Sequence, residues 1–129
     1  DLPLTPAFLF SVLLWPSVIK RIGEIQSSKI KIPLLRKAAD KAIREQNSHC
    51  FIPNRVESMI KEIWEFQIKL LKVKSPKITS LISHKRFRAS YDFLLLREQS
   101  GVNLNGCGKW WTDVQNKSEY RRKDLSKRQ

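Results

Sequence analysis

Three basic side chains lie close together in the second half of the chain, at Lys85, Arg86 and Arg88. A helical pattern of recurring apolar residues runs from Phe87 to Leu95. The pattern predicts that the cations lie in the first turn of a helix, where the positive end of the helix dipole repels them. Screening by solvent and salt would relieve that repulsion, and so would a bound phosphate or other anion. The chemistry that this group indicates is anion binding.

The whole chain has the charge balance of a protein that binds a polyanion. Its 129 residues include 25 lysines and arginines against 12 acidic residues, which gives a net charge of +13. The excess is spread along the whole chain, which favours an extended basic surface facing nucleic acid or an anionic membrane. The longest apolar run, residues 7–15, is too short to span a bilayer. We therefore expect nucleic acid and no membrane partner.

No pattern in the sequence indicates catalysis or metal binding. The five aspartates are dispersed, so no pair suggests a two-metal carboxylate centre. Glycines 101, 106 and 108 follow no strand pattern and therefore fail the context of a phosphate-binding glycine loop. Cys50 and Cys107 are isolated and lack metal-site spacing, which indicates reduced thiols in a cytoplasmic protein. The residues by themselves predict a binding module and no catalytic site.

Two adjacent tryptophans, Trp110 and Trp111, are candidates for stacking on unpaired bases. Neighbouring residues on a helix point about 100° apart, so at most one of the two rings can be fully buried. The alternative is that both rings cover an edge of the core, since tryptophan is usually largely buried. Phe87 and Tyr91 lie on an apolar stripe, which predicts a core position for both.

The elements that must position these side chains all have helical periodicity, which predicts an all-α fold of six or seven helices in an irregular array. Pro6, Pro33 and Pro53 are predicted to stand at helix starts. Pro16 is predicted to end or kink the first helix, whose residues 7–15 are apolar on all sides and therefore predicted to be buried. Another helix is predicted to begin beyond residue 16 and to lie on the surface of the first.

The second half of the chain is predicted to begin with a short helix over residues 78–82. Ser83 is the predicted cap of the helix that follows, and Gly101 is its predicted stop. A connector over 103–108 leads to a last short helix over 109–115. From residue 117 onward the chain is polar and basic, which predicts a frayed tail.

The order of several short segments carries a resemblance to a known family. The segments are residues 6–10 with Trp15 and Pro16, residues 52–55, 63–67, 84–97 and 109–111. In this order they resemble the C-terminal half of bacterial poly(A) polymerases, a group related to the tRNA CCA-adding enzymes. The resemblance covers roughly residues 5–115.

The resemblance implies an all-helical region that helps to hold an RNA while its 3′ end is extended with AMP from ATP. The family's metal-binding aspartates and ATP site lie in an upstream head and neck. ATP and Mg²⁺ would therefore be bound outside this chain, which alone would be non-catalytic although the full-length enzyme is a polynucleotide adenylyltransferase. Asp1 is not a natural initiator, and we expect the chain to be a fragment.

On this basis we predict three segments and a set of RNA-binding residues. Residues 1–52 would continue a helical body, residues 53–116 would bind single-stranded RNA 3′ ends, and residues 117–129 would form a basic tail. The predicted phosphate contacts are Arg55, Lys85, Arg86, Arg88, Lys109, Arg121 and Arg122. Trp110 and Trp111 are possible base-stacking residues.

Two alternatives remain open at this point. A CCA-adding enzyme would have a related C-terminal region but would act on a folded tRNA acceptor arm. A helical protein-interaction module would use exposed aromatic residues for docking and its charge for solubility. An exposed apolar patch containing both Trp110 and Trp111 would favour the interaction module.

Overall fold

The computed structural model describes residues 5–23, 29–72 and 77–127, with side chains up to residue 117. These ranges form six helices: α1 (Pro6–Ile22), α2 (Ile32–Asn47), α3 (Asn54–Lys69), α4 (Ile78–Ser83), α5 (Phe87–Gln99) and α6 (Cys107–Lys127). They contain no strand, so the predicted all-α fold is confirmed. In the same ranges, no helix combines the length and the apolar character needed to cross a membrane.

Helix α1 begins as predicted but continues through its proline. The Thr5 hydroxyl accepts a hydrogen bond from the Phe8 backbone N–H at 3.2 Å, and Pro6 occupies the first turn. A helix end at Pro16 and a separate helix after it are both wrong predictions, because a single helix extends to Ile22. Proline in a helix interior costs about 3 kcal/mol. Burial of Trp15 beside it offsets part of that cost.

Helix α1 is also less buried than its sequence predicted. Phe8 and Trp15 are buried, but Leu13 is 71% exposed and Leu9 is 44% exposed. The helix is therefore buried on one face only, although its sequence is apolar on all sides. The reason is that α2 and α3 cover only one side of it in the described part of the chain.

Helices α1, α2 and α3 enclose the first core, which is centred on Trp15 and Trp64. Their rings lie 6.3 Å apart, and Phe93 of α5 meets Trp15 edge-on at 5.6 Å. The Trp64 indole N–H donates to the Ser11 carbonyl at 3.0 Å. Small residues of α2 allow a close approach to its neighbours, since Ala38, Ala39 and Ala42 are all buried. Because α1 and α3 share this core, it spans the predicted boundary between residues 52 and 53.

The end of α3 joins α4, α5 and α6 around the second core, which consists of Phe66, Leu70, Phe87, Tyr91, Leu94, Leu104 and Trp111. The rings of Phe87 and Tyr91 stack at 5.9 Å, and that of Phe87 lies 5.5 Å from the ring of Trp111. The core positions predicted for Phe87 and Tyr91 are confirmed.

The start of α5 and the length of α6 differ from the predictions. Ser83 belongs to α4, where its hydroxyl donates to the Thr79 carbonyl, and α5 begins only at Phe87. Gly101 follows α5 with a φ of 104°, a conformation that favours glycine, as its predicted role requires. Helix α6 continues to Lys127, so the predicted fraying is not found over residues 117–127. Lysine, arginine and glutamate are good helix formers and extend a helix whose first turns are packed.

Candidate nucleic-acid interface

Two basic segments meet at the aromatic rings of the second core. Phe87 is flanked by Arg86 and Arg88, and Trp111 follows Lys109 and Trp110. Because the rings of Phe87 and Trp111 pack against each other, the residues next to them in sequence are held near the same core. Each buried ring therefore anchors cations at the surface.

The turn before α5 holds the first of these cations. Lys85 and Arg86 precede the helix, and of the three cations only Arg88 lies in its first turn, which corrects the predicted placement. The Arg86 backbone N–H donates to His84 Nδ1 at 3.0 Å and fixes the turn. Repulsion by the helix dipole is therefore a weaker argument for a bound anion than the sequence suggested. Lys85 itself is exposed and forms no ion pair with the described residues.

Arg86 is tied to the protein. Its Nε lies 3.1 Å from the Glu62 carboxylate of α3, close enough for an ion pair but without hydrogen-bond geometry. Only about a fifth of the side chain is exposed, at 21%. Arg86 therefore helps to join α5 to α3, and less of its charge is presented to a ligand than the sequence suggested.

Arg88 pairs with Asp92, which lies four residues further along the same face of α5. Arg88 Nε lies 3.4 Å from the carboxylate, and the arginine is 65% exposed. Asp92 is buried, and its second oxygen lacks a hydrogen-bond partner among the described residues. Burial raises the pKa of Asp92 above its ordinary value, although Arg88 acts in the opposite direction. Arg88 thus compensates a buried carboxylate while presenting its guanidinium to solvent.

The two adjacent tryptophans have different environments. Trp111 is completely buried, and its indole N–H donates to the Leu70 carbonyl at 3.0 Å. It offers no face to a base, which rules out the stacking role predicted for it. Trp110 is 42% exposed and remains a candidate for stacking. The exposed double-tryptophan patch that would favour a protein-interaction module is therefore not formed.

A carboxylate from α5 fixes the start of α6. Glu98 Oε2 accepts the Gly108 backbone N–H at 2.9 Å, where it also meets the positive end of the helix dipole. A Cβ atom at position 108 would lie 2.8 Å from Glu98 Oε1, so glycine permits this approach. The contact orients Lys109 and Trp110, which follow directly and are both exposed.

The remaining predicted contacts are less closely defined. Arg55 is exposed in the first turn of α3 and forms no ion pair with the described residues. Arg121 and Arg122 lie on the helical backbone of α6, but their side chains are outside the described part. The roles of these three residues in RNA binding stay predictions.

Arg97 was not recognised from the sequence as a core residue. It is buried, donates to Gln67 Oε1 at 3.0 Å and lies 4.9 Å from the centroid of the Trp15 ring. Burial lowers the pKa of its guanidinium to about 10. A signal was present, because Arg97 stands four residues after the buried Phe93 and seven after Ser90 on one helical face. Arg97 joins the two cores and does not belong to the interface.

The carboxylates do not fit a magnesium site. Asp40, Asp92 and Glu62 each face a cation within 4 Å. In the described ranges, no cluster of three histidine, cysteine, aspartate or glutamate residues could hold a metal ion. We therefore derive no metal-dependent step from these residues.

Comparison with known proteins gives a consistent set of relatives. A family model described as the polymerase A arginine-rich C-terminus matches residues 28–129. Poly(A) polymerase I of Escherichia coli O6:H1 is 28% identical over 119 residues, which are 89% of this chain and 26% of that protein. Poly(A) polymerase I of Haemophilus influenzae is 27% identical over 135 residues, covering 99% of this chain and 29% of that protein. The chain thus spans little more than a quarter of these relatives. No solved structure matches it.

Proposed function

The chain belongs to the family of the polymerase A arginine-rich C-terminus, and from this premise we propose that it is the RNA-binding C-terminal region of a poly(A) polymerase. The whole enzyme would add AMP from ATP to RNA 3′ ends as a polynucleotide adenylyltransferase. This region would hold the single-stranded end without supplying a catalytic residue. The observation that carries the proposal is the family match to residues 28–129, which include every predicted RNA contact.

The environment of the predicted contacts supports this proposal. Lys85, Lys109 and Arg55 are exposed and unpaired within the described part of the chain, so their charges are available to phosphate groups. Trp110 presents part of its ring beside Lys109, and an aromatic ring next to a cation suits an unpaired nucleotide. The basic end of α6 would add attraction that does not depend on RNA sequence.

We assign the remaining parts of the reaction to regions outside this chain. ATP and Mg²⁺ would be bound elsewhere in the polymerase, since the described residues contain no group of three histidine, cysteine, aspartate or glutamate side chains that could hold a metal ion. We also propose a cytoplasmic location. Within the chain, residues 1–52 would serve as body, 53–116 as RNA-binding segment and 117–129 as tail.

The proposal is tested by the salt dependence of RNA binding. Fluorescence anisotropy with a labelled single-stranded oligo(A) should give an affinity that falls steeply as salt rises, because binding releases counterions. The double variant K85Q/K109Q should bind several-fold more weakly. Its slope of log affinity against log salt should be shallower by about 0.7 for each phosphate that the variant no longer neutralises. An RNA duplex of equal length tests the preference for single strands.

The matched control is K31Q/K77Q, which removes two exposed lysines at helix caps and the same net charge. It should bind nearly as well as the unchanged chain. Equal losses of affinity in the two double variants would mean that only total charge matters, against the assigned contacts. RNA affinity that does not change with salt would contradict the proposed function itself.

A further inference from the structure

A cavity of about 340 Å³ lies between α1 and α2 and takes no part in the interface described above. It is lined by Arg21 from α1 and by Leu34, Lys37, Ala38 and Lys41 from α2. Its volume falls within the range of small-molecule sites, roughly 300–1,000 Å³, but such sites are mostly apolar. Three of the five lining residues here are cations. The cavity therefore suits a ligand group that carries negative charge.

The two lysines of the cavity have no carboxylate partner in the described ranges. Lys37 and Lys41 are exposed and stand four residues apart on α2. The acidic residues of that helix contact other cations: Asp40 contacts Lys61, and Glu45 contacts Arg21, the third cation of the cavity. Like charges at this spacing repel each other and destabilise a helix. An anion bound between them would remove that repulsion.

Arg21 is held in place for such a ligand. One of its terminal nitrogens contacts the Glu45 carboxylate across the α1–α2 contact, and the side chain is 33% exposed. A guanidinium carries five N–H donors, so this single contact leaves others for a phosphate group. The planar fork matches phosphate geometry, and the contact with Glu45 restricts its rotation in advance. Even when the Glu45 carboxylate is counted, Arg21, Lys37 and Lys41 together keep a net positive charge.

The apolar part of the cavity lining indicates which class of anionic ligand would fit. Leu34 is 37% exposed at the cavity and Ala38 beside it is buried. A free phosphate makes no use of an apolar surface, whereas a nucleotide unit carries a phosphate and an apolar sugar or base face. We propose that the α1–α2 cavity is a second contact site for the RNA strand. In it, Arg21, Lys37 and Lys41 bind backbone phosphate and Leu34 packs against a nucleoside. This inference rests on the proposed function, which supplies the RNA.

The experiment compares K37Q/K41Q with K31Q/K77Q in the full chain. Both variants remove two exposed lysines, and glutamine keeps the helix propensity of the lysines in α2. Thermal unfolding should show that both fold as the unchanged chain does. We expect K37Q/K41Q to bind single-stranded oligo(A) several-fold more weakly. Its slope of log affinity against log salt should be shallower by about 0.7 for each phosphate that the variant no longer neutralises. K31Q/K77Q should retain the original slope.

Amide NMR spectra locate the contact and identify its source. Oligo(A) should shift the amide signals of Ala38 and Lys41, and K37Q/K41Q should abolish these shifts. Titration with AMP and with inorganic phosphate tests free ligands at the same signals. If AMP shifts them while oligo(A) does not, the cavity binds a free nucleotide and the inference is overturned.

Failure of this inference can be separated from failure of the proposed function. If the unchanged chain binds RNA but K37Q/K41Q binds it as K31Q/K77Q does, the second site is wrong and the proposed function stands. If the unchanged chain binds no RNA, both are wrong.

Discussion

Two charged regions of this molecule use their cations differently. The α2–α3 seam, formed by Arg36, Asp40, Glu57, Lys61 and Glu65, pairs every cation with a carboxylate. Lys61 contacts both Asp40 at 2.6 Å and Glu57 at 3.1 Å. The pKa of Lys61 is raised, chiefly by the hydrogen bond to Asp40. The charge of Lys61 therefore serves to hold α2 and α3 together.

The basic segments around the second core are only partly neutralised. Arg86 and Arg88 face Glu62 and Asp92, whereas Lys85 and Lys109 have no carboxylate partner in the described ranges. The number of cations in a region therefore does not by itself show how much positive charge the region presents to a ligand. Under the proposed function, the cations that contact RNA are those whose charge the fold has left uncompensated.

The largest expected effect comes from removing the anchor of these segments. W111A should lower the free energy of unfolding by about 3–5 kcal/mol, because it leaves a cavity in the second core. It also leaves the Leu70 carbonyl without the indole donor. Urea unfolding followed by far-UV circular dichroism measures the change.

The adjacent residue supplies the control for this destabilisation. W110A removes the partly exposed ring and should cost less than about 1.5 kcal/mol. W111F keeps part of the ring volume and should fall between the two variants if W111A does not fold. Equal stability of W110A and W111A would mean that the second core does not anchor the basic segments as described.

An effect of intermediate size is expected on the affinity for RNA. W110A should weaken oligo(A) binding by about 1–3 kcal/mol, the range for removal of one base-stacking ring. Because no charge is removed, the salt slope should stay unchanged, unlike that of K85Q/K109Q. Anisotropy titrations at several salt concentrations measure both quantities. Unaltered affinity would remove Trp110 from the interface.

The smallest effect concerns the buried carboxylate of the Arg88–Asp92 pair. Its pKa is raised above 3.8, mainly by burial, so the folded state holds the Asp92 proton more tightly than the unfolded state. The resulting stabilisation is fully present below 3.8 and is lost as pH rises through the raised pKa. The melting temperature of the unchanged chain should therefore fall relative to D92N over that window, by a few degrees.

Melting curves of both chains from acidic to neutral pH measure this difference. D113N, which removes an exposed carboxylate of α6, controls for the change in net charge. A constant gap between the unchanged chain and D92N at every pH would argue against the burial effect. A gap that opens in the reverse direction would mean that Arg88 outweighs burial.

Much of the fold followed from local patterns in the sequence. Helical periodicity predicted the all-α architecture, and Pro6 and Gly101 marked helix ends, because the start and stop of a helix depend on residues a few positions apart. The stripe through Phe87, Tyr91 and Leu94 identified a core face for the same reason. The net charge and the order of the short segments were enough to indicate the family and a polyanionic partner.

The tertiary structure decided which side chains remain exposed and unpaired. Whether Pro16 ends a helix, which tryptophan is buried, and which cations are neutralised all depend on partners distant in sequence. Trp111 reaches Leu70 across 41 positions, Arg97 reaches Gln67 across 30, and Arg36 reaches Glu65 across 29. The sequence determined how much charge and apolar surface each helix carries. The packing of the helices determined which part of that charge is paired and which part of that apolar surface is buried. Burial and ion pairing depend on residues that are neighbours in space.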